Sequence, residues 1–132
     1  AAFRQLDAAL ADCSPCEVLF EIDVELAQDT VVRPDLVVFC SPAEGERLTL
    51  APELIFEVVS HRSGRRDEVI KYDLYQREGV TFYGLVYPEA KKVKLYRLED
   101  GQYRKVADFH DQRYRFGLSK CSLDVDFAAL WP

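Results

Sequence analysis

Between residues 17 and 26 the chain alternates with a period of two. Val18, Phe20, Ile22, Val24 and Leu26 point one way, and Glu17, Leu19, Glu21, Asp23 and Glu25 the other. That pattern predicts one strand with a single buried face. Ala27, Gln28, Asp29 and Thr30 predict a turn, and Pro34 opens the next strand at a place where a missing N–H is tolerated. Leu36, Val37, Val38, Phe39 and Cys40 then form an uninterrupted apolar run. After a polar loop over 41–49, Pro52 introduces a second apolar run, residues 54–59, which carries Glu57 in its interior.

From 65 to 78 the spacing becomes helical. Ile70 and Leu74 stand at i, i+4, Ser63 can cap the entry, and Gly79 sits where a C′ glycine belongs. Asp67 and Lys71 are also i, i+4 with the acid first, the favourable order. Strand signals return over 81–87, 92–98 and 103–106, with turns at Pro88 to Lys91 and at Asp100 and Gly101. Residues 1–12 and 126–131 read as helical. The expected fold is α/β (α+β): a mixed central sheet flanked by helices, in one domain spanning 1–132.

The 132-residue length suits one domain with a sizeable core. No apolar run approaches a transmembrane span and no signal segment opens the chain, so a cytoplasmic protein with no membrane partner is expected. The net charge of -6 argues against a strong non-specific nucleic-acid binder, but charge is locally uneven. Arg62, Arg65 and Arg66 cluster just after the Glu57 run and are the expected phosphate contacts. Lys91, Lys92, Lys94, Arg97, Arg104, Lys105, Arg113 and Arg115 form a second basic zone, which reads as a solvated face.

Cys13 and Cys16 have CxxC spacing, but no second CxxC or HxxxH completes a zinc site. With Cys40 and Cys121 they read as thiols in a reducing compartment, Cys40 within the core.

The chemistry concentrates in two acids placed on apolar strands. Burying an unpaired carboxylate is expensive, so Asp35 and Glu57 call for a cation, hydrogen bonds or neutralisation. Lys71 supplies a cation from the following helix. Asp35, Glu57 and the Val58 carbonyl would offer oxygen ligands to Mg²⁺ or Mn²⁺, while Lys71 orients or deprotonates a water or stabilises a phosphate oxygen. The same spacing would also suit a buried Glu57–Lys71 ion pair with Asp35 capping a turn.

Pro34 and Asp35 followed by Glu57 resemble the motif of the PD-(D/E)XK nuclease superfamily. The longer string Ala51, Pro52, Glu53, Leu54, Glu57, Val58, Val59, Ser60, Arg66, Asp67, Lys71, Tyr75, Gly79, Val80, Tyr83 and Pro88 is similar to the Uma-type restriction endonuclease family within it. The superfamily lysine stands two residues after the acid, where this chain has Val59. In the Uma-type family it comes from the next helix, and Lys71 holds that place. The resemblance implies a restriction-endonuclease-like core and Mg²⁺-dependent hydrolysis of DNA. It makes Asp35, Glu57 and Lys71 catalytic, with Asp35, Glu57 and Val58 on the metal and Asp67 and Tyr75 supporting them. It also implies that this chain lacks the helix and hairpin with which family members commonly begin. A non-catalytic interaction module that kept the fold is the alternative. Homo-oligomer formation is left open.

Overall fold

Six strands form the central sheet of the protein, a computed structural model that describes residues 16–27, 30–40, 52–59 and 64–131. In chain order the strands are β1 (Glu17–Phe20), β2 (Val24–Ala27), β3 (Thr30–Val32), β4 (Leu36–Phe39) and β5 (Leu54–Val58). After helix α1 (Gly64–Arg77) come β6 (Phe82–Tyr87), β7 (Lys92–Glu99), β8 (Gln102–Phe109), β9 (Arg113–Gly117) and β10 (Ser122–Asp126). A 3-10 turn over Phe127–Leu130 follows. The central sheet runs β1-β4-β5-β6-β7-β8. Only the β5–β6 pair is parallel, and α1 is its crossover. β2–β3 and β9–β10 are separate antiparallel hairpins.

The sheet is mixed, as expected, but its flanks differ from expectation. Among the described residues one α-helix covers one face; the opposite face is covered by the β9–β10 hairpin. Strand alternation explains the division. Leu36, Val38, Leu54, Phe56, Phe82, Val93 and Leu95 turn toward Phe116, Leu123, Val125 and Phe127 in one core. Val37, Phe39, Ile55, Tyr83 and Leu85 turn toward Tyr75, Val24 and Leu26 in the other. Phe116, Leu123 and Val125 are fully buried. At about 1.5–3 kcal/mol per side chain, their burial is enough to dock a hairpin that shares no ladder with the main sheet.

The alternation over 17–26 belongs to two strands rather than one. Glu21 breaks it with a φ of 48°, and its N–H donates to the Asp35 carbonyl at 3.2 Å. β1 then pairs with β4, while β2 turns back on β3. Val18 therefore packs in one core and Val24 and Leu26 in the other, and Phe20 is left exposed. A period of two survives such a break, so pattern alone could not locate it.

Helix α1 ends as its sequence dictates. Gly79 has a φ of 83°, its N–H reaches the Gln76 carbonyl, and the Val80 N–H reaches that of Tyr75. This is a Schellman closure. Of the Ile70–Leu74 pair that marked the helical spacing, Leu74 packs against the helix-side core while Ile70 is exposed. Tyr72 and Tyr75 face the sheet, in edge contact with Tyr96 and Tyr83 at 5.1 Å each. Tyr103 completes the layer and donates its hydroxyl to the Val80 carbonyl at 2.7 Å, so burial leaves that group satisfied.

The turn at Asp100 and Gly101 has φ of 52° and 79°, the two positive values that a tight β7–β8 hairpin needs. The expected helix over 1–12 and the Ser63 cap lie outside the described residues.

The cysteines depart from expectation. Cys16 and Cys40 extend the β1–β4 register by one step and are joined by a disulfide, with Cα atoms 3.9 Å apart. Cys121 is disulfide-bonded as well. Cys40 is core as expected, but Cys16 is neither a free thiol nor half of a CxxC site. The bridge removes the basis on which cysteine usage pointed to a reducing compartment. No helix among the described residues is long and apolar enough to cross a membrane.

Candidate active site

Asp35 and Glu57 come together through strand register. Leu36 pairs with Phe56 in the antiparallel β4–β5 ladder, so one further step sets Asp35 opposite Glu57. Both side chains fall on the face shared by Val37 and Ile55, the face beneath α1. Asp35 is pinned twice. Its carbonyl accepts from Glu21, and its Oδ2 accepts from the Val58 N–H at 2.7 Å.

Glu57 is the buried charged residue among those described, 6% exposed. Its Oε2 accepts the Tyr75 hydroxyl at 2.6 Å and lies 3.4 Å from Lys71 Nζ. Lys71 and Tyr75 stand one turn apart on α1, so both reach down onto the same carboxylate. The Lys71 side chain remains 29% exposed and opens toward solvent.

The electrostatics do not balance in favour of the ionised acid. Burial pushes the Glu57 carboxyl above its ordinary value of 4.5. The Tyr75 hydrogen bond and the Lys71 charge pull it down, the Asp35 carboxylate pushes it up again, and the net direction is upward. A Glu57–Lys71 pair therefore exists, but it does not compensate the buried charge. The second oxygens, Asp35 Oδ1 and Glu57 Oε1, meet no hydrogen-bond donor among the described residues.

A cavity of about 160 Å³ opens at these groups, lined among others by Arg33, Asp35, Glu57, Val58, Glu68 and Lys71. Asp35, Glu57, Lys71 and Tyr75 are thus brought together. Val58 contributes its amide to Asp35, and its side chain is exposed. Arg62 and the side chains of Arg65, Arg66 and Asp67 lie outside the described residues. Glu68 and Arg33 went unnoticed in the sequence. Glu68 was findable, since it stands three residues before Lys71 and so shares its helical face. Arg33 has no such signal, because its place follows only from how β3 leads into Pro34.

Asp35 and Glu57 could hold a hard cation through oxygen. No cluster of three His, Cys, Asp or Glu groups suited to an ion occurs among the described residues. A pair of carboxylates with open oxygens fits Mg²⁺, which keeps several waters and takes only one or two protein carboxylates. It fits poorly an ion that needs a full protein cage.

A solved structure with a similar fold is titled as a putative nuclease belonging to DUF820 from Anabaena variabilis ATCC 29413. It superposes with a TM-score of 0.71 at 16% identity, covering 96% of this chain and 74% of that one. No curated protein matches the chain. Residues 2–117 match the family model described as "Uma2: Putative restriction endonuclease". Because that match spans most of the chain, the chain belongs to the Uma2 restriction-endonuclease-like family.

Proposed function

We propose that the chain is a metal-dependent nuclease that hydrolyses phosphodiester bonds of DNA at Asp35, Glu57 and Lys71. One observation carries the reading. A buried carboxylate is held beside a second carboxylate at the mouth of an open cavity, with its pKa left high despite two partners on α1. For stability alone an apolar residue would serve better there. A divalent cation held between the two carboxylates would relieve the repulsion.

Mg²⁺ or Mn²⁺, bound by Asp35 and Glu57 with the Val58 carbonyl as a further ligand, would polarise the phosphate and make water more acidic. The chain's own groups do the rest. Lys71 projects its ammonium into the cavity, where it can orient water or offset charge that develops on a phosphate oxygen. Tyr75 fixes the Glu57 side chain by its hydrogen bond, and the Val58 amide fixes Asp35. Asp67 would support Lys71 from the preceding turn, and Arg62, Arg65 and Arg66 would meet phosphates near the N-terminus of α1.

Calorimetric titration with Mg²⁺ and Mn²⁺, run beside a plasmid-cleavage assay, tests this. Metal binding should disappear in Asp35→Ala together with cleavage. Lys71→Ala should lose cleavage while binding metal as well as or better than wild type, because a neighbouring positive charge is gone. Wild-type protein that neither binds metal nor cleaves would be a non-catalytic module on a nuclease fold.

A further inference from the structure

Next to the cavity the same sheet face continues into a patch of positive charge. Leu85 lines the cavity and pairs in register with Lys94, while Tyr87 pairs with Lys92. Alternation along β6 and β7 puts all four on the Glu57 face. Both ammonium groups approach one ring, Lys92 Nζ at 5.2 Å and Lys94 Nζ at 5.6 Å from the Tyr87 centroid. These are cation–π distances, which hold the two lysines over a common platform. The Tyr87 hydroxyl donates to Glu68 Oε1 at 3.2 Å, and Glu68 lines the cavity wall. One tyrosine therefore joins the site to the two lysines.

The counter-charges are few. Asp108, opposite Lys94 in the β7–β8 ladder, is bound through Oδ2 by Lys105 at 2.9 Å. It also feels the charges of Lys92 and Lys94, but neither of these comes within ion-pair distance of it. Glu68 is engaged by Tyr87. Lys92 and Lys94 enter no ion pair among the described residues. Lys92, Lys94 and Lys105 against Asp108 and Glu68 leave a local excess of one positive charge on a chain whose total is -6. A solvated surface lysine has no need of a shared aromatic brace beside an acidic cavity.

We propose that Lys92 and Lys94, braced by Tyr87, form a phosphate-binding track that guides a DNA strand across β6 and β7 to the cavity. The inference rests on the nuclease reading of that cavity. The lysines position the substrate and take no part in the chemistry, and two members of the second basic zone thereby gain a role.

The test compares wild type with Lys92→Gln/Lys94→Gln, both half-exposed positions, after thermal melting has shown equal stability. Duplex binding is first titrated with salt in EDTA, so that the result is independent of cleavage. The wild-type log–log slope should be steeper by about 1.8, two phosphate contacts at about 0.9 each. With Mg²⁺ present, KM for duplex should rise on the order of tenfold in the variant, the loss expected for roughly 1.4 kcal/mol. Turnover of bis(p-nitrophenyl) phosphate, too small to span cavity and track, should stay unchanged. Superimposable salt slopes, or a wild type that does not bind duplex at low salt, overturn the track. Equal losses on both substrates overturn it too, since the lysines would then act in the cavity. A wild type that hydrolyses neither substrate yet shows the steeper slope overturns the nuclease reading and leaves the track standing.

Discussion

Glu57 sits in an environment that disfavours its own charge, and its neighbours set the direction of two predictions. Its folded-state pKa lies above the ordinary 4.5, with burial the largest cause. The folded chain thus holds this proton more tightly than the unfolded chain does. The stability this contributes is fully present below pH 4.5 and is lost as pH rises through the higher folded value. Glu57→Gln keeps the neutral form at every pH. Its melting temperature at pH 7 should exceed that of wild type, by on the order of a few degrees, and the gap should close below about pH 4.5. Scanning calorimetry across pH 4–8 checks this, and a Glu57→Gln protein less stable than wild type at pH 7 would contradict it. Tyr75→Phe removes the hydrogen bond that favours the ionised acid. The acidic limb of the cleavage pH profile should move to higher pH, and an unmoved limb would mean that Glu57 ionisation does not govern the rate.

Among the elements, the junction of β5 with β6 carries the tightest constraint. Gly84 stands opposite Phe56 in the parallel ladder, and a Cβ on it would lie 2.2 Å from two atoms of that ring. Phe56 is fully buried against Phe116, so its ring has nowhere to retreat. Gly84→Ala should cost about 1–3 kcal/mol in urea unfolding, the range for an overpacked core. Phe56→Leu in the same chain should recover part of that loss. An alanine variant as stable as wild type would show that the ring shifts freely. The effect reaches the site because Phe56 precedes Glu57, and a displaced β5 moves the carboxylate away from α1.

For the whole molecule, the Cys16–Cys40 bridge ties the outer strand β1 to β4, whose first residues follow Asp35. It closes a loop with a sequence separation of 24. Loop-closure entropy for that length is worth about 3 kcal/mol. Cys16→Ser/Cys40→Ser should lower the urea midpoint accordingly under oxidising conditions. An unchanged midpoint would mean that the unfolded chain is already restricted there.

How much of this was legible in the residues follows from the range of each interaction. Local order was readable. The Schellman end at Gly79, the turn at Asp100 and Gly101, the strand around Glu57 and the i, i+4 placement of Lys71 and Tyr75 all depend on neighbours within a few positions. The candidate acid Glu57 was readable too, because an acid on a buried strand is conspicuous wherever it packs, whereas Arg33 and Glu68 of the cavity wall were not noticed. Long-range pairing was not readable. Whether residues 17–26 formed one strand or two depended on their halves finding different partners, β4 for 17–20 and β3 for 24–27, and the inward face of α1 on a layer of tyrosines drawn from β6, β7 and β8. The partner of Cys16 was set by the β1–β4 register rather than by CxxC spacing. Lys92 and Lys94 looked like solvated charge until the β6–β7 ladder placed them over Tyr87. Sequence by itself determined the local elements and the chemical groups; only the tertiary structure decided which distant groups meet, because strand register converts separation along the chain into contact.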